Sequence, residues 1–168
     1  MELTLKFTSL VLAILFTGIS AGLCFTWSNA VSPGIGKLNN LGFLQSFQQM
    51  NRTIINPAFI VVFFGPFLIN LLNLYLFKSS SNTLVWLLAV ATIIYFIGVV
   101  LITILGNVPL NEMLDKTDLS TANMDQLKSL RGHFEVKWNR LHLIRTLAST
   151  ISFLLLILSL SLINQYNI

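Results

Sequence analysis

Apolar residues along the chain gather into four long runs, with approximate limits 7–27, 57–77, 84–105 and 143–163. No charged residue stands between Lys6 and Lys37, between Arg52 and Lys78, between Lys78 and Glu112, or after Arg145. A helix of about 20 residues rises roughly 30 Å, the thickness of a bilayer's hydrocarbon. Backbone N–H and C=O groups in lipid must find partners inside their own segment, so each run is expected to be a helix. The pattern predicts an all-α fold: one membrane domain over residues 1–168, a four-helix bundle crossing the bilayer.

The stretches between the runs carry their own punctuation. The first helix is expected to end near Asn29, with Ser32-Pro33-Gly34 as a turn. Leu41, Leu44, Phe47, Met50 and Ile54 then recur at steps of three and four, with Gln45, Gln48, Gln49 and Arg52 elsewhere around the wheel. That period predicts an amphipathic helix over 41–55 in the first long loop, lying at the interface or dipping into the bundle. Asn56-Pro57 reads as the N-cap and first residue of the second span. Gly65-Pro66 is expected to kink it, and Asn70 and Asn73, on one face, to bond between helices. The short serine-rich stretch 78–83 makes the second and third spans a hairpin. Gly106 is placed just past the end of the third helix, and Val108, preceding Pro109, is expected to be extended. Ser120 or Thr121 can cap a further helix with the apolar stripe Leu127, Leu130, Phe134, Trp138 and Leu141. This helical extension is expected to run into the last span, Gly132 being its weak point.

Composition sharpens the class. The chain is 55% hydrophobic and 10% charged, with mean hydropathy +0.79, against about 25% charged in soluble domains. Its net charge of +4 does not point to nucleic acid, because the basic residues form no soluble stripe with interleaved aromatics. They report topology. Lys6 and Lys78 stand at the amino terminus and second loop. Lys37, Arg52, Lys116, Lys128, Arg131, Lys137, Arg140 and Arg145 lie in or beside the first and third loops. Positive residues favour the cytoplasmic side, so both termini are expected outside the cytoplasm and both long loops inside it. A cleaved signal peptide over 1–22 is the competing reading of the start, but its apolar run continues to Phe25 and Trp27. Cys24 is the only cysteine, which excludes an internal disulfide or a thiolate cluster.

Candidate chemistry concentrates where the fourth span begins. Trp138, His142, Arg145 and Ser149 fall on one helical face. A boundary tryptophan with snorkelling basic residues explains that face without any function. Other polar groups belong to the same end of the bundle: Trp27, Ser28 and Asn29 on the first helix, Asn51, Arg52 and Asn56 before the second, Asn107 and Asn111 after the third. Each has a local explanation as cap or turn residue; together they describe a polar pocket suited to a small molecule. With no Asp or Glu in any span and only His133 and His142 in the chain, neither a carboxylate metal site nor a paired-carboxylate mechanism can be built within the spans. No metal and no cofactor is expected, a single haem ligand at His142 staying open. What remains is a proton acceptor, His142, beside a permanent cation, Arg145.

The segments AGLCFTWSNAVSPGI (21–35), FQQMNRTIINPAF (47–59), GNVPLNEML (106–114) and WNRLHLIRT (138–146) together resemble the anthrone oxygenase-like family of four-span membrane proteins, over nearly the whole chain. The resemblance sets Trp27, Pro33, Asn51, Asn56, Pro57, Asn107, Pro109, Asn111, Trp138, His142 and Arg145 on recurrent positions. It implies oxidation of anthrones to anthraquinones by molecular oxygen without an established cofactor. Fungal members tend to carry asparagine where this chain has His142. Two functions of different class follow. One is an oxidoreductase acting on a small aromatic or quinone-like substrate, with His142 and Arg145 catalytic and Trp27, Asn51, Asn56, Asn107, Asn111 and Trp138 binding. The other is a non-enzymatic accessory subunit that binds a ligand or lipid. A transporter is less favoured, since no half of the chain repeats the other.

The charge asymmetry has a direct test. In intact cells a membrane-impermeant maleimide should label Ser80→Cys, and should reach Ser120→Cys only after permeabilisation; the reverse pattern would invert the topology.

Overall fold

The computed structural model describes residues 2–166, with side chains over 4–163. Helices account for nearly all of it, and four of them are long and apolar enough to cross a membrane: Thr4–Ile35, Pro57–Leu76, Asn82–Asp115 and Met124–Ile163. The chain is an all-α, multi-pass membrane bundle. Helix α1 (Glu2–Thr26) is prolonged by a π turn, Trp27–Val31, and a last α turn, Ser32–Ile35. The amphipathic α2 is Asn40–Ile54 and α3 is Pro57–Leu76. Helix α4 (Asn82–Tyr95) continues through π turns Phe96–Leu101 and Thr103–Asn107 into Val108–Asp115. Helix α5 is the unbroken Met124–Tyr166. Around the bundle α1 packs on α3 and α5, and α4 packs on α5 and, along its first part, on α3.

Two expected helix ends are overturned by one device. Ser32-Pro33-Gly34 is not a turn, and Val108 is helical (φ −60°, ψ −49°) rather than extended. In each helix the residue before proline donates to the carbonyl five residues back, Ser32 to Trp27 and Val108 to Thr103. The wider π turn makes room where a proline ring would otherwise strike the preceding turn, so the helix continues. Gly106 accordingly is not a left-handed cap, since no glycine has positive φ among the described residues. It lets α4 approach α5: a Cβ there would lie 2.8 Å from Leu141 Cδ1, and one at Gly98 would strike Ala148. Small residues at such crossings let helix backbones close on one another.

The loop-bearing end of the bundle carries a second, aromatic core: Phe43, Leu44, Phe47, Leu114, Leu119, Leu127, Phe134 and Trp138. Helix α2 begins on Asn39, whose side chain accepts from Gly42 N–H at 2.8 Å. Its buried face is Phe43, Leu44, Phe47, Gln48 and Asn51: of the expected stripe Leu44 and Phe47 are buried, while Leu41, Met50 and Ile54 are only half-buried. Gln48 points inward, where its Nε2 donates to the carbonyls of Leu114 (2.7 Å) and Thr117 (3.1 Å). A polar side chain on the buried face thus satisfies acceptors at and just beyond the end of α4. The cap of α5 also differs from expectation. Asn123 and Gln126 bond reciprocally, side chain to main chain, at 2.8 and 2.9 Å, the capping-box exchange. Ser120 is taken instead by Asp118, donating its N–H and hydroxyl and holding that carboxyl below its ordinary range.

Within the apolar part, Leu10, Ala13, Leu88, Ala91 and Leu156 form one fully buried layer. Phe63, Tyr95, Val99, Val100 and Ala148 form another. Asn73 bonds across to α1, its Oδ1 accepting from Ser9 Oγ at 2.7 Å. Asn70 is buried with neither amide atom hydrogen-bonded inside the protein, so the expected pair is half realised.

Arg131 joins α5 to the end of α1. Its guanidinium donates to Gly36 O (2.7 Å), Leu38 O (2.8 Å) and Glu135 (2.7 Å) and lies over the Phe43 ring. Charge-assisted bonds from a planar fork are not reproduced by lysine. Arg131→Ala is expected to destabilise the fold by about 2–3 kcal/mol, with Arg131→Lys recovering less than half of the loss. Reversible unfolding in detergent, followed by helicity, measures both.

Candidate functional site

Ser20, Cys24 and Trp27 follow one another at i, i+4 and i+7 on the inward face of α1. Trp138, His142 and Arg145 do the same on α5. The two faces meet through one short bond, His142 Nε2 to the Cys24 carbonyl at 3.0 Å. A carbonyl oxygen only accepts, so Nε2 carries the hydrogen and Nδ1 of the neutral ring carries the lone pair. The ring is held flat against Trp138, with centroids 4.8 Å apart and planes at 14°. Trp27 closes the aromatic group at 5.4 Å from Trp138. The indole of Trp138 is fixed in turn by its Nε1–H to Asn111 Oδ1 at 2.8 Å. Thr146 braces the same joint, donating to the His142 carbonyl (3.0 Å) and lying 3.0 Å from Ser28 Oγ. The sole cysteine therefore contributes its main chain to the site.

Ser20, Cys24, Trp27, Asn111, Trp138, His142 and Arg145 border a cavity of about 310 Å³. It exists because α3 follows α1 and the first part of α4, whereas the closing part of α4 packs chiefly on α5 and α2. Its walls are largely apolar, with Ile54, Ile55, Phe59, Val62, Phe63 and Val108 among them. Four lining residues each hold a buried polar atom with no hydrogen-bond partner inside the protein: Trp27 Nε1, Asn51 Nδ2, His142 Nδ1 and Arg145 Nε. Buried polar atoms are nearly always paired, and these four have no partner inside the protein although their residues line the cavity. Three of them are donors and one, Nδ1, is an acceptor. The Arg145 guanidinium forms no ion pair among the described residues and lies 6.0 Å from the centre of the Trp138 ring.

Of the residues singled out from sequence, Trp27, Asn51, Asn111, Trp138, His142 and Arg145 line the cavity; Asn56 and Asn107 do not. Asn56 is exposed, and its side chain caps α3 by accepting from Phe59 N–H at 3.0 Å. Asn107 is fully buried, with its amide directed at the Trp138 carbonyl at 3.4 Å. Ser149 is spent on its own helix, donating to the Arg145 carbonyl. Sequence reasoning did not single out Ser20, the Cys24 carbonyl, Phe59 or Phe63. Glu112 and Asp115 lie past the expected end of the third span, near residue 105, and also line the cavity. The π turn before Pro109 keeps α4 helical and brings both acids to the rim, where Asp115 meets Arg52 at 2.6 Å and Glu112 meets Lys116 at 3.7 Å. Both pairs are solvent-exposed, so they contribute little to stability and give the rim its charge. Ser20 was visible in principle, since it shares the helical face of Trp27. Among the described residues no three His, Cys, Asp or Glu side chains stand close enough to hold a metal ion.

Residues 54–155 match the model of a family described as anthrone oxygenase. The matched segment includes His142, Arg145, Trp138, Asn111, Asn107 and Asn56, and covers more than half of the chain. Nothing among the curated proteins or the solved structures matches the chain.

Proposed function

The chain belongs to the anthrone oxygenase family, and from that premise we propose that it is an oxidoreductase acting on a small aromatic or quinone-like substrate in the cavity lined by α1, α2, α3, α4 and α5. The observation that supports the reading is the set of unpartnered buried atoms, an imidazole lone pair at His142, the Arg145 Nε–H and two further donors, all on residues that line one largely apolar cavity. That set suits a flat apolar ring with an oxygen on which negative charge develops.

An anthrone illustrates the chemistry. His142 Nδ1 takes the proton from the ring carbon opposite the carbonyl. The charge moves onto the carbonyl oxygen, where Arg145 and the N–H donors of Trp27 and Asn51 hold it. The carbanion combines with molecular oxygen, and the proton on the imidazole passes to the resulting peroxide. Loss of water then leaves the quinone. One oxygen molecule is consumed and one water released for each anthrone oxidised. Walls such as Phe59 and Phe63 keep bulk water from the anion, which strengthens its interaction with the fixed cation. Asn107 acts at one remove, its amide directed at the main-chain carbonyl of Trp138, the residue on whose indole His142 is stacked. The reading asks for no bound cofactor.

Oxygen uptake by purified protein supplied with anthrone tests this. General-base removal costs about 10²–10⁴ in rate, so His142→Ala is expected to lose at least about a hundredfold in kcat. Arg145→Gln is expected to lose about a hundredfold in kcat/KM, and Arg145→Lys to recover part of it. Equal rates for the wild type and His142→Ala would remove the imidazole from the mechanism. Saturable binding of anthrone with no oxygen consumed would assign the cavity to a binding subunit.

A further inference from the structure

The innermost polar group of the cavity is Ser20, about one helical turn or 6 Å deeper along α1 than Cys24. Its hydrogen-bond direction is fixed by a chain of contacts behind it. Tyr95 is fully buried, and its hydroxyl lies 2.9 Å from the Phe63 carbonyl and 2.9 Å from Ser20 Oγ. The carbonyl only accepts, so the single phenolic hydrogen goes to Phe63. Tyr95 Oη is then the acceptor towards Ser20, and the Ser20 hydrogen is spent on it. A serine oxygen whose hydrogen is already directed away offers only lone pairs to the space it borders. The cavity therefore has unlike ends. Trp27 lies 5.4 Å and the Arg145 guanidinium 6.0 Å from the Trp138 ring, whereas the inner wall carries an acceptor, with Phe63 also in the lining.

We infer that Ser20, oriented by Tyr95, is a specificity determinant that accepts a hydrogen bond from a ligand hydroxyl placed at the end of the ring system away from the oxygen held by Arg145. The inference rests on the cavity being a ligand site and narrows the class of ligand: an aromatic with a carbonyl or oxyanion at one end and a hydroxyl donor at the other. An ether or a second carbonyl at the inner end meets lone pair against lone pair and is disfavoured. Tyr95 is a positioning residue, since removing its oxygen frees the serine hydrogen to turn towards the ligand.

The test uses two naphthoquinones, one with a hydroxyl on its second ring and the other its methyl ether. Binding is read from quenching of Trp27 and Trp138 fluorescence in full-length Trp86→Phe protein, Trp86 being exposed and outside the cavity. A hydrogen bond of ordinary net strength makes the hydroxyl compound about five- to tenfold tighter in the parent protein. Ser20→Ala is expected to bring the two affinities within about twofold of each other. Tyr95→Phe is expected to shift preference towards the ether, a change that loss of packing alone does not produce. Equal affinities in the parent protein, or unchanged preference in Tyr95→Phe, overturn the assignment of Ser20 while leaving the cavity as a ligand site. Failure of both quinones to bind the parent protein overturns the site itself.

Discussion

The hydrogen bond from His142 Nε2–H to the Cys24 carbonyl is the constraint on which the site depends. It joins the inward faces of α1 and α5 at one level and fixes the plane in which the imidazole stacks on Trp138. Because its acceptor is a carbonyl, it also decides which ring nitrogen keeps a lone pair. A histidine with the same burial but a hydroxyl partner could adopt either tautomer, and the orientation of its free nitrogen would carry no information. Here the partner is backbone, and Nδ1 is left without a hydrogen bond among buried donors. The chemistry proposed for the cavity follows from that one geometric fact combined with the nearby guanidinium.

The joint would be of little use if the helices stopped where prolines usually stop them. Both α1 and α4 pass Pro33 and Pro109 by means of a π turn placed immediately before. In α1 the widened turn begins at Trp27, which faces His142 and Trp138. In α4 it ends at Asn107, one turn before Asn111, whose side-chain Oδ1 receives the Trp138 indole N–H. Trp27 thus belongs both to the turn that relieves the proline clash and to the cavity wall, and the continued α4 carries Asn111 to the same wall. The aromatic core above them, closed by Gln48 and Arg131, holds α2 and the end of α4 over α5. The apolar cavity walls are then a consequence of α3 diverging from the prolonged end of α4.

Much of this was legible in the residues and some was not, for identifiable reasons. The spans and the Asn56-Pro57 cap announce themselves because they rest on local physics: hydrocarbon thickness and an N-terminal orphan donor. The shared face of Trp138, His142 and Arg145 follows from helical period alone. The ends of α1 and α4 were misread because Pro33 and Pro109 normally mark a stop, and the π turns that carry the chain past them depend on packing between helices. The inward face of α2 is legible in part: apolar Leu44 and Phe47 point to it, whereas polar Gln48 does not, and only the carbonyls of Leu114 and Thr117, from a distant segment, explain why it turns in. Asn56 and Asn107 were grouped with the site by level along the bundle, although a cap and a backbone contact account for them. The Cys24 carbonyl is a main-chain group, and no side-chain pattern could have singled it out.

The most direct measurement is of the His142 ring nitrogens. In bilayer-reconstituted protein carrying His133→Gln, with isotope-labelled histidine, solid-state NMR separates a protonated ring nitrogen from one bearing a lone pair. The account predicts a hydrogen on Nε2 and a lone pair on Nδ1 in the neutral ring, with Nε2–H coupled through space to the Cys24 carbonyl carbon. A hydrogen resident on Nδ1, or an Nε2 with no contact to that carbonyl, would contradict it.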